Sequence, residues 1–89
     1  MYKTEKVEPY QASVSEEILS KWNGIVRVWS EPKSAVEGAE VVDEIKKPIE
    51  VTVLEEQKEM YSSGVQRVKI RYGEGKEGWV LYDAISRKG

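Results

Sequence analysis

The sequence predicts a mostly β domain, a small antiparallel barrel or sandwich with one short helix near its N-terminus. Three observations carry that prediction. Four short segments alternate apolar and polar residues with a period of two, glycine-containing turn signals separate them, and only one stretch shows helical spacing. With 89 residues there is room for one domain. A chain of this size buries about 60–65% of its unfolded surface, enough for one compact core and little more.

Taken in order, the stretch 1–11, "MYKTEKVEPYQ", is polar and charged with Pro9, and reads as an extension that is extended or loosely attached. "SVSEEILSKWNG" then offers Ser13 as an N-cap with Glu16 three residues on, Ile18, Leu19 and Trp22 at helical spacing, and Asn23-Gly24 as a stop. A helix is expected over about 14–22. Ile18 and Trp22 either dock on the core or form a lid over a binding surface. In "IVRVWS", Val26 and Val28 share one face while Ile25, Arg27 and Trp29 share the other. "PIEVTVLEE" sets Ile49, Val51 and Val53 against Glu50, Thr52 and Leu54, and "RVKIRY" sets Val68, Ile70 and Tyr72 against Arg67, Lys69 and Arg71. "GWVLY" gives a further strand with Val80 and Trp79 on opposite sides. A long loop around "SEPKSAVEGAE" and a medium one around "EEQKEMYSSG" join these segments. The chain thus divides into an N-terminal extension with a short helix, 1–23, and a barrel, 24–89.

The stretch "GEGKEG", Gly73 to Gly78, spells G-x-G-x-x-G. A dinucleotide fingerprint needs a strand before it, a helix after it and an acidic residue about 20 positions on. Here 11 residues follow, they read as β, and Glu74 and Glu77 would set carboxylates against a phosphate. A hairpin turn accounts for the glycines: Gly73 and Gly75 supply positive φ, and Gly78 permits close backbone approach.

Composition narrows the chemistry. The 14 basic and 16 acidic residues give a net charge of −2, which argues against a broad nucleic-acid-binding face. There is neither cysteine nor histidine, which removes disulfides, thiolate metal sites, zinc sites of the usual ligands and Ser-His or Cys-His nucleophiles. Adjacent acids such as Glu16-Glu17, Asp43-Glu44 and Glu55-Glu56 lie in no apolar run that would raise a carboxyl pKa. Neither a catalytic residue nor a cofactor or metal is predicted, although calcium ligation around Asp43 stays open. No apolar run is long enough to span a membrane and the N-terminus lacks the apolar core of a secretory signal, so the chain as given reads as cytoplasmic, or as extracellular or wall-bound if it belongs to a longer exported chain.

"VKIRYGEGKEGWVLYDAIS" resembles the end of a bacterial SH3-type domain (Src-homology-3 fold), where a "KVRYG…G-GWV…yLS" pattern forms the last hairpin and the 3₁₀ turn before the final strand. "GIVRVWSEP" is similar to that family's opening "G-x-L-N-V-R-x-x-P", and "VVDEIKKPIEVTVLEE" to its "V-I-G-x-L-x-x-G-x-x-V-x-V-L", with Pro48 where a glycine is usual. The resemblance covers about 24–86. It implies an SH3-like barrel of about five strands acting as a non-catalytic binding module for peptides or cell-wall peptidoglycan. An intracellular adaptor or structural role in protein–protein contact is the alternative. Arg27 and Trp29 replace the family's asparagine and arginine, Arg67 stands where many relatives carry tryptophan, and the loop through "KSAVEGAE" is longer than usual. Leu81-Tyr82-Asp83-Ala84 replaces the "P-S-N-Y" of eukaryotic relatives, which argues against an aromatic groove for PxxP ligands.

If Val26, Val28, Val51, Val53, Val68, Ile70, Val80 and Ile85 fill the barrel, Trp29 and Trp79 lie on outward faces. Aromatics there suggest a contact surface, unless the N-terminal helix covers them. Arg27 shares the Trp29 face. Tyr61, in the loop after "LEEQKE", and Tyr82, in the 3₁₀ turn, sit where family ligands tend to be met, or serve as partly buried anchors. The candidate ligand-binding residues are therefore Trp29, Trp79, Tyr82, Tyr61 and Arg27. Arg67, Lys69 and Arg71 form a basic stripe that acids of neighbouring strands can pair.

Overall fold

The computed structural model describes residues 2–33, 35–59 and 64–87. The chain runs β1 (Tyr2–Val14), α1 (Glu16–Lys21), β2 (Val26–Trp29), a 3₁₀ turn (Ala35–Glu37), β3 (Val41–Ile45), β4 (Ile49–Glu59), β5 (Val65–Tyr72), β6 (Lys76–Leu81), a second 3₁₀ turn (Tyr82–Ala84) and β7 (Ser86–Arg87). The strands form one sheet in the order β3-β2-β6-β5-β4-β1-β7, with every neighbour antiparallel. The sheet curls into a half-barrel whose concave side holds the core, and β3 and β7 form its two edges.

The expected barrel residues Val26, Val28, Val51, Val53, Val68, Ile70, Val80 and Ile85 are all buried in one cluster. Ala12, Val14, Ile18, Leu19, Ile45, Tyr72 and Ala84 complete it. Period-two alternation places these side chains because a pleated strand sends successive residues to opposite faces.

The strand count is seven rather than about five, and the N-terminal segment is the main reason. Of the two readings, extended or loosely attached, the extended one holds: β1 pairs with β4 from Tyr2↔Glu59 to Val14↔Ile49 and with β7 at Ala12↔Arg87 and Ser13↔Ser86. Its polarity hid this role. Opposite charges face each other across the ladder, as at Lys6↔Glu55, and only Ala12 and Val14 are fully buried. The register slips between Lys6 and Tyr10, where β1 holds two residues more than β4. Pro9, which has no N–H to give a ladder, sits within that bulge.

α1 is shorter than expected, and its N-cap is Ser15 rather than Ser13. Ser13 is committed to the sheet opposite Glu50 and Ser86, whereas Ser15 Oγ accepts the Ile18 N–H at 3.2 Å. The helix stops where Asn23-Gly24 foretells: Asn23 adopts φ 58°, and the Gly24 N–H reaches the Leu19 carbonyl at 2.6 Å, closing a Schellman turn. β3 falls in a stretch without clean alternation and pairs with β2 from Val26↔Ile45 to Trp29↔Val41.

The G-x-G-x-x-G stretch is a hairpin between β5 and β6. Gly73 and Gly75 take φ of 57° and 88°. Gly78 has ordinary φ but sits where an added Cβ would meet Val28 Cγ1 and lie 3.2 Å from the Trp29 carbonyl oxygen. Close approach of β6 to β2 therefore fixes that residue as glycine.

Candidate ligand-binding cleft

β2 meets β6 in register at one pair, Trp29↔Trp79. Beyond it the strands diverge, because β6 turns into the second 3₁₀ turn after Leu81 while β2 runs back to Ile25 and the helix. The wedge between them is a cleft of about 220 Å³ lined by Lys21, Trp22, Asn23, Ile25, Val26, Arg27, Trp29, Leu81 and Ala84. The 3.6-residue repeat and the Schellman turn deliver Trp22 to one wall, and strand alternation delivers Ile25, Arg27 and Trp29 to the other.

The predicted site residues separate. Arg27 and Trp29 line the cleft. Trp79 is the register partner of Trp29 on the convex face, yet it is only 7% exposed and does not line the cleft. Residues 31–33 are tied to that same face. On β4, the Gln57 amide donates to the Pro32 carbonyl, and Arg67 Nη1 donates to Gln57 Oε1 at 3.2 Å. Gln57, Arg67 and Leu81 are consecutive register partners on the face that carries Trp79, so the chain leaving β2 lies across it.

Tyr82 goes elsewhere. It packs against the core, and its hydroxyl meets the Arg87 guanidinium, raising that group's proton affinity. Arg87 in turn lies 4.7 Å from the Tyr10 ring centroid, and Tyr10 donates to Glu56 Oε2 at 2.7 Å. Tyr82 therefore belongs to a polar cluster with Arg87, Tyr10 and Glu56. Burial, with Glu56 as partner, raises the Tyr10 hydroxyl pKa above the ordinary tyrosine range. Tyr61 lies outside the described residues.

Trp22, Ile25, Lys21 and Leu81 line the cleft without having been singled out as ligand contacts. The helical spacing that places Trp22 on the core side was the available signal. It docks on the core cluster and also walls the cleft, so the two readings of that residue are not exclusive.

The basic stripe on β5 is paired. Lys69 lies 3.5 Å from Glu55 and 3.6 Å from Glu77, and Arg71 lies 3.1 Å from Glu77. Asp43, the residue left open for calcium, accepts the Tyr72 hydroxyl at 2.8 Å and lies 3.6 Å from Lys76. The Tyr72 bond chiefly holds its carboxyl below the ordinary aspartate range. Among the described residues no group of three or more acids is placed to hold a metal ion, and no helix is long and apolar enough to cross a membrane. Comparison of the chain with protein-family models, with curated proteins and with solved structures finds no match.

Proposed function

We propose that this chain is a non-catalytic binding module built on an SH3-like barrel, and that the cleft between α1, β2 and the second 3₁₀ turn receives a peptide. The observation that carries this reading is the cleft wall itself. Two tryptophans, Trp22 and Trp29, stand over an apolar floor that includes Ile25, Val26 and Leu81. Aromatic side chains at the mouth of a small apolar depression are the usual anchors of a binding hot spot. The volume, about 220 Å³, is below the roughly 300 Å³ at which drug-sized ligands are housed. It suits one apolar side chain of a peptide. Among the described residues the lining carries no carboxylate or hydroxyl nucleophile, in keeping with capture rather than chemistry.

The order of elements supports the SH3-like reading. β4, β5 and β6 form a meander, a 3₁₀ turn follows, and a two-residue final strand returns to β1. That is the ending the "GWVLYDAIS" resemblance implies. On that resemblance, peptidoglycan-derived peptide is the first ligand to test.

A second reading, an adaptor that contacts another protein, is favoured by β3. This strand is a sheet edge, and Val41 and Val42 on it are 43% and 56% exposed. Titrating soluble muropeptides and a proline-rich peptide while following tryptophan emission tests the main reading. A saturable change that disappears in Trp29→Ala supports it. Saturable binding that survives Trp29→Ala and disappears in Val42→Glu points to the edge strand instead.

A further inference from the structure

We infer that the ligand of this cleft is an acidic peptide, one that places an apolar side chain between Trp22 and Trp29 and carboxylates against Lys21 and Arg27. The inference rests on reading the cleft as the binding site and adds the charge of its occupant.

The cationic charge of this cleft is unmatched within its lining. Most cations of this acidic chain are answered. Lys3, Lys33, Lys46, Lys58, Lys69, Arg71 and Lys76 lie within 3.1–3.8 Å of a carboxylate. Arg67 bonds Gln57, and Arg87 sits over Tyr10. Lys6, Lys21, Arg27 and Lys47 have no ion-pair or side-chain hydrogen-bond partner among the described residues, and of these Lys21 and Arg27 line this cleft together. The acid nearest Arg27 in register is Glu44 on β3, and its carboxylate is turned to Lys46 at 3.7 Å. On α1, Glu17 stands one turn before Lys21 without forming an ion pair.

Two cations in a lining that includes no acid are stabilised by an anion that comes to the cleft. Beside a partly desolvated wall that attraction exceeds what the same pair would give in open water. Arg27 brings a guanidinium fork suited to a carboxylate, and Lys21 brings a point charge. The apolar floor excludes a bare anion as the best occupant, because Trp22, Ile25, Trp29 and Leu81 would then stay uncovered.

The test uses the whole chain and two blocked, fluorescein-labelled octapeptides, one alternating Leu with Asp and the other alternating Leu with Asn. Anisotropy gives the affinities, and amide shifts locate the site. The Leu–Asp peptide is expected to bind about tenfold tighter than its amide twin, with shifts at Ile25, Arg27, Leu81 and Ala84. Arg27→Gln and Lys21→Gln should each weaken it about two- to fivefold, as exposed ion pairs do, and leave the Leu–Asn peptide unchanged. Neither side chain has a partner to lose among the described residues, so both variants should keep the wild-type amide spectrum. Equal binding of the two peptides at the cleft would overturn the acidic preference while leaving the cleft as a peptide site. No binding, or shifts elsewhere, would overturn both readings. A single-stranded oligonucleotide that binds the same residues more tightly than the Leu–Asp peptide would also overturn it, replacing an acidic peptide with a nucleic acid.

Discussion

Replacing Gly78 with alanine sets a methyl group against Val28 Cγ1 and 3.2 Å from the Trp29 carbonyl oxygen. The backbone at this residue is not in the left-handed region, so the cost is steric. One neighbour is a fully buried side chain and the other is backbone held by the Trp29↔Trp79 pair. Neither is the free end of a flexible side chain. Overpacking of this kind costs about 1–3 kcal/mol, and the reduced entropy of the unfolded chain returns about 0.4–1 kcal/mol. A net loss of about 1–2 kcal/mol should lower Tm by roughly 5–15 °C and the urea midpoint by about 1–2 M at a small-domain m-value of about 1 kcal/mol/M. The diagnostic step is a double-mutant cycle. Val28→Ala alone empties a buried site and costs about 2 kcal/mol, yet it also clears space for the new methyl group. The double variant should therefore be more stable than the sum of the singles by about 1 kcal/mol. Additive losses, or a neutral Gly78→Ala, would refute the close packing of β6 on β2 that shapes the cleft.

Three further outcomes follow from the fold. Tyr10→Phe leaves Glu56, 8% exposed, without its hydroxyl donor, and should cost about 1–3 kcal/mol in urea unfolding. A loss under about 0.5 kcal/mol would deny the bond its role. The Tyr72 hydroxyl holds Asp43 low, so a depressed folded pKa gives stability that is present above the unfolded value of about 3.9 and is lost as pH falls through the lower folded value. Tyr72→Phe should move the Asp43 carboxyl titration upward in carbon-detected NMR and flatten the acid limb of the stability curve. An unmoved titration would contradict it. Removing residues 1–14 deletes a central partner of both β4 and β7 and should abolish cooperative unfolding, whereas a truncated chain with a two-state transition would show that β1 is dispensable.

Legibility in the sequence followed burial. Where one face of a strand meets the core, as in "IVRVWS" and "RVKIRY", alternation named both the strand and its buried residues correctly. β1 was illegible as a strand because its ladder is held largely by polar and charged cross-strand neighbours, so the pattern resembles a solvated tail. β3 was obscured by its place at the sheet edge, where Val41 and Val42 stay exposed and no period is enforced. Ser15 rather than Ser13 caps α1 because β1 continues to Val14, a tertiary fact that no capping pattern contains. For the site, Arg27 and Trp29 were legible from strand alternation. Trp79 was expected on an outward face, but it is only 7% exposed, and the Gln57–Pro32 bond on that side joins residues 25 apart, which no local pattern contains. The wedge between β2 and β6 was not legible either, since it arises from two chain reversals, the Schellman turn and the 3₁₀ turn, meeting side by side.

In the proposed binding surface, Trp22 and Trp29, and not Trp79 or Tyr82, frame the cleft. The three indole N–H resonances of the ¹⁵N-labelled chain report Trp22, Trp29 and Trp79 one by one, so a titration with muropeptides and the Leu–Asp octapeptide reads that arrangement directly. Saturable shifts of the Trp22 and Trp29 indoles are expected, with buried Trp79 nearly still. A Trp79 indole that moves first, or three indoles that stay fixed while ligand binds, would contradict it.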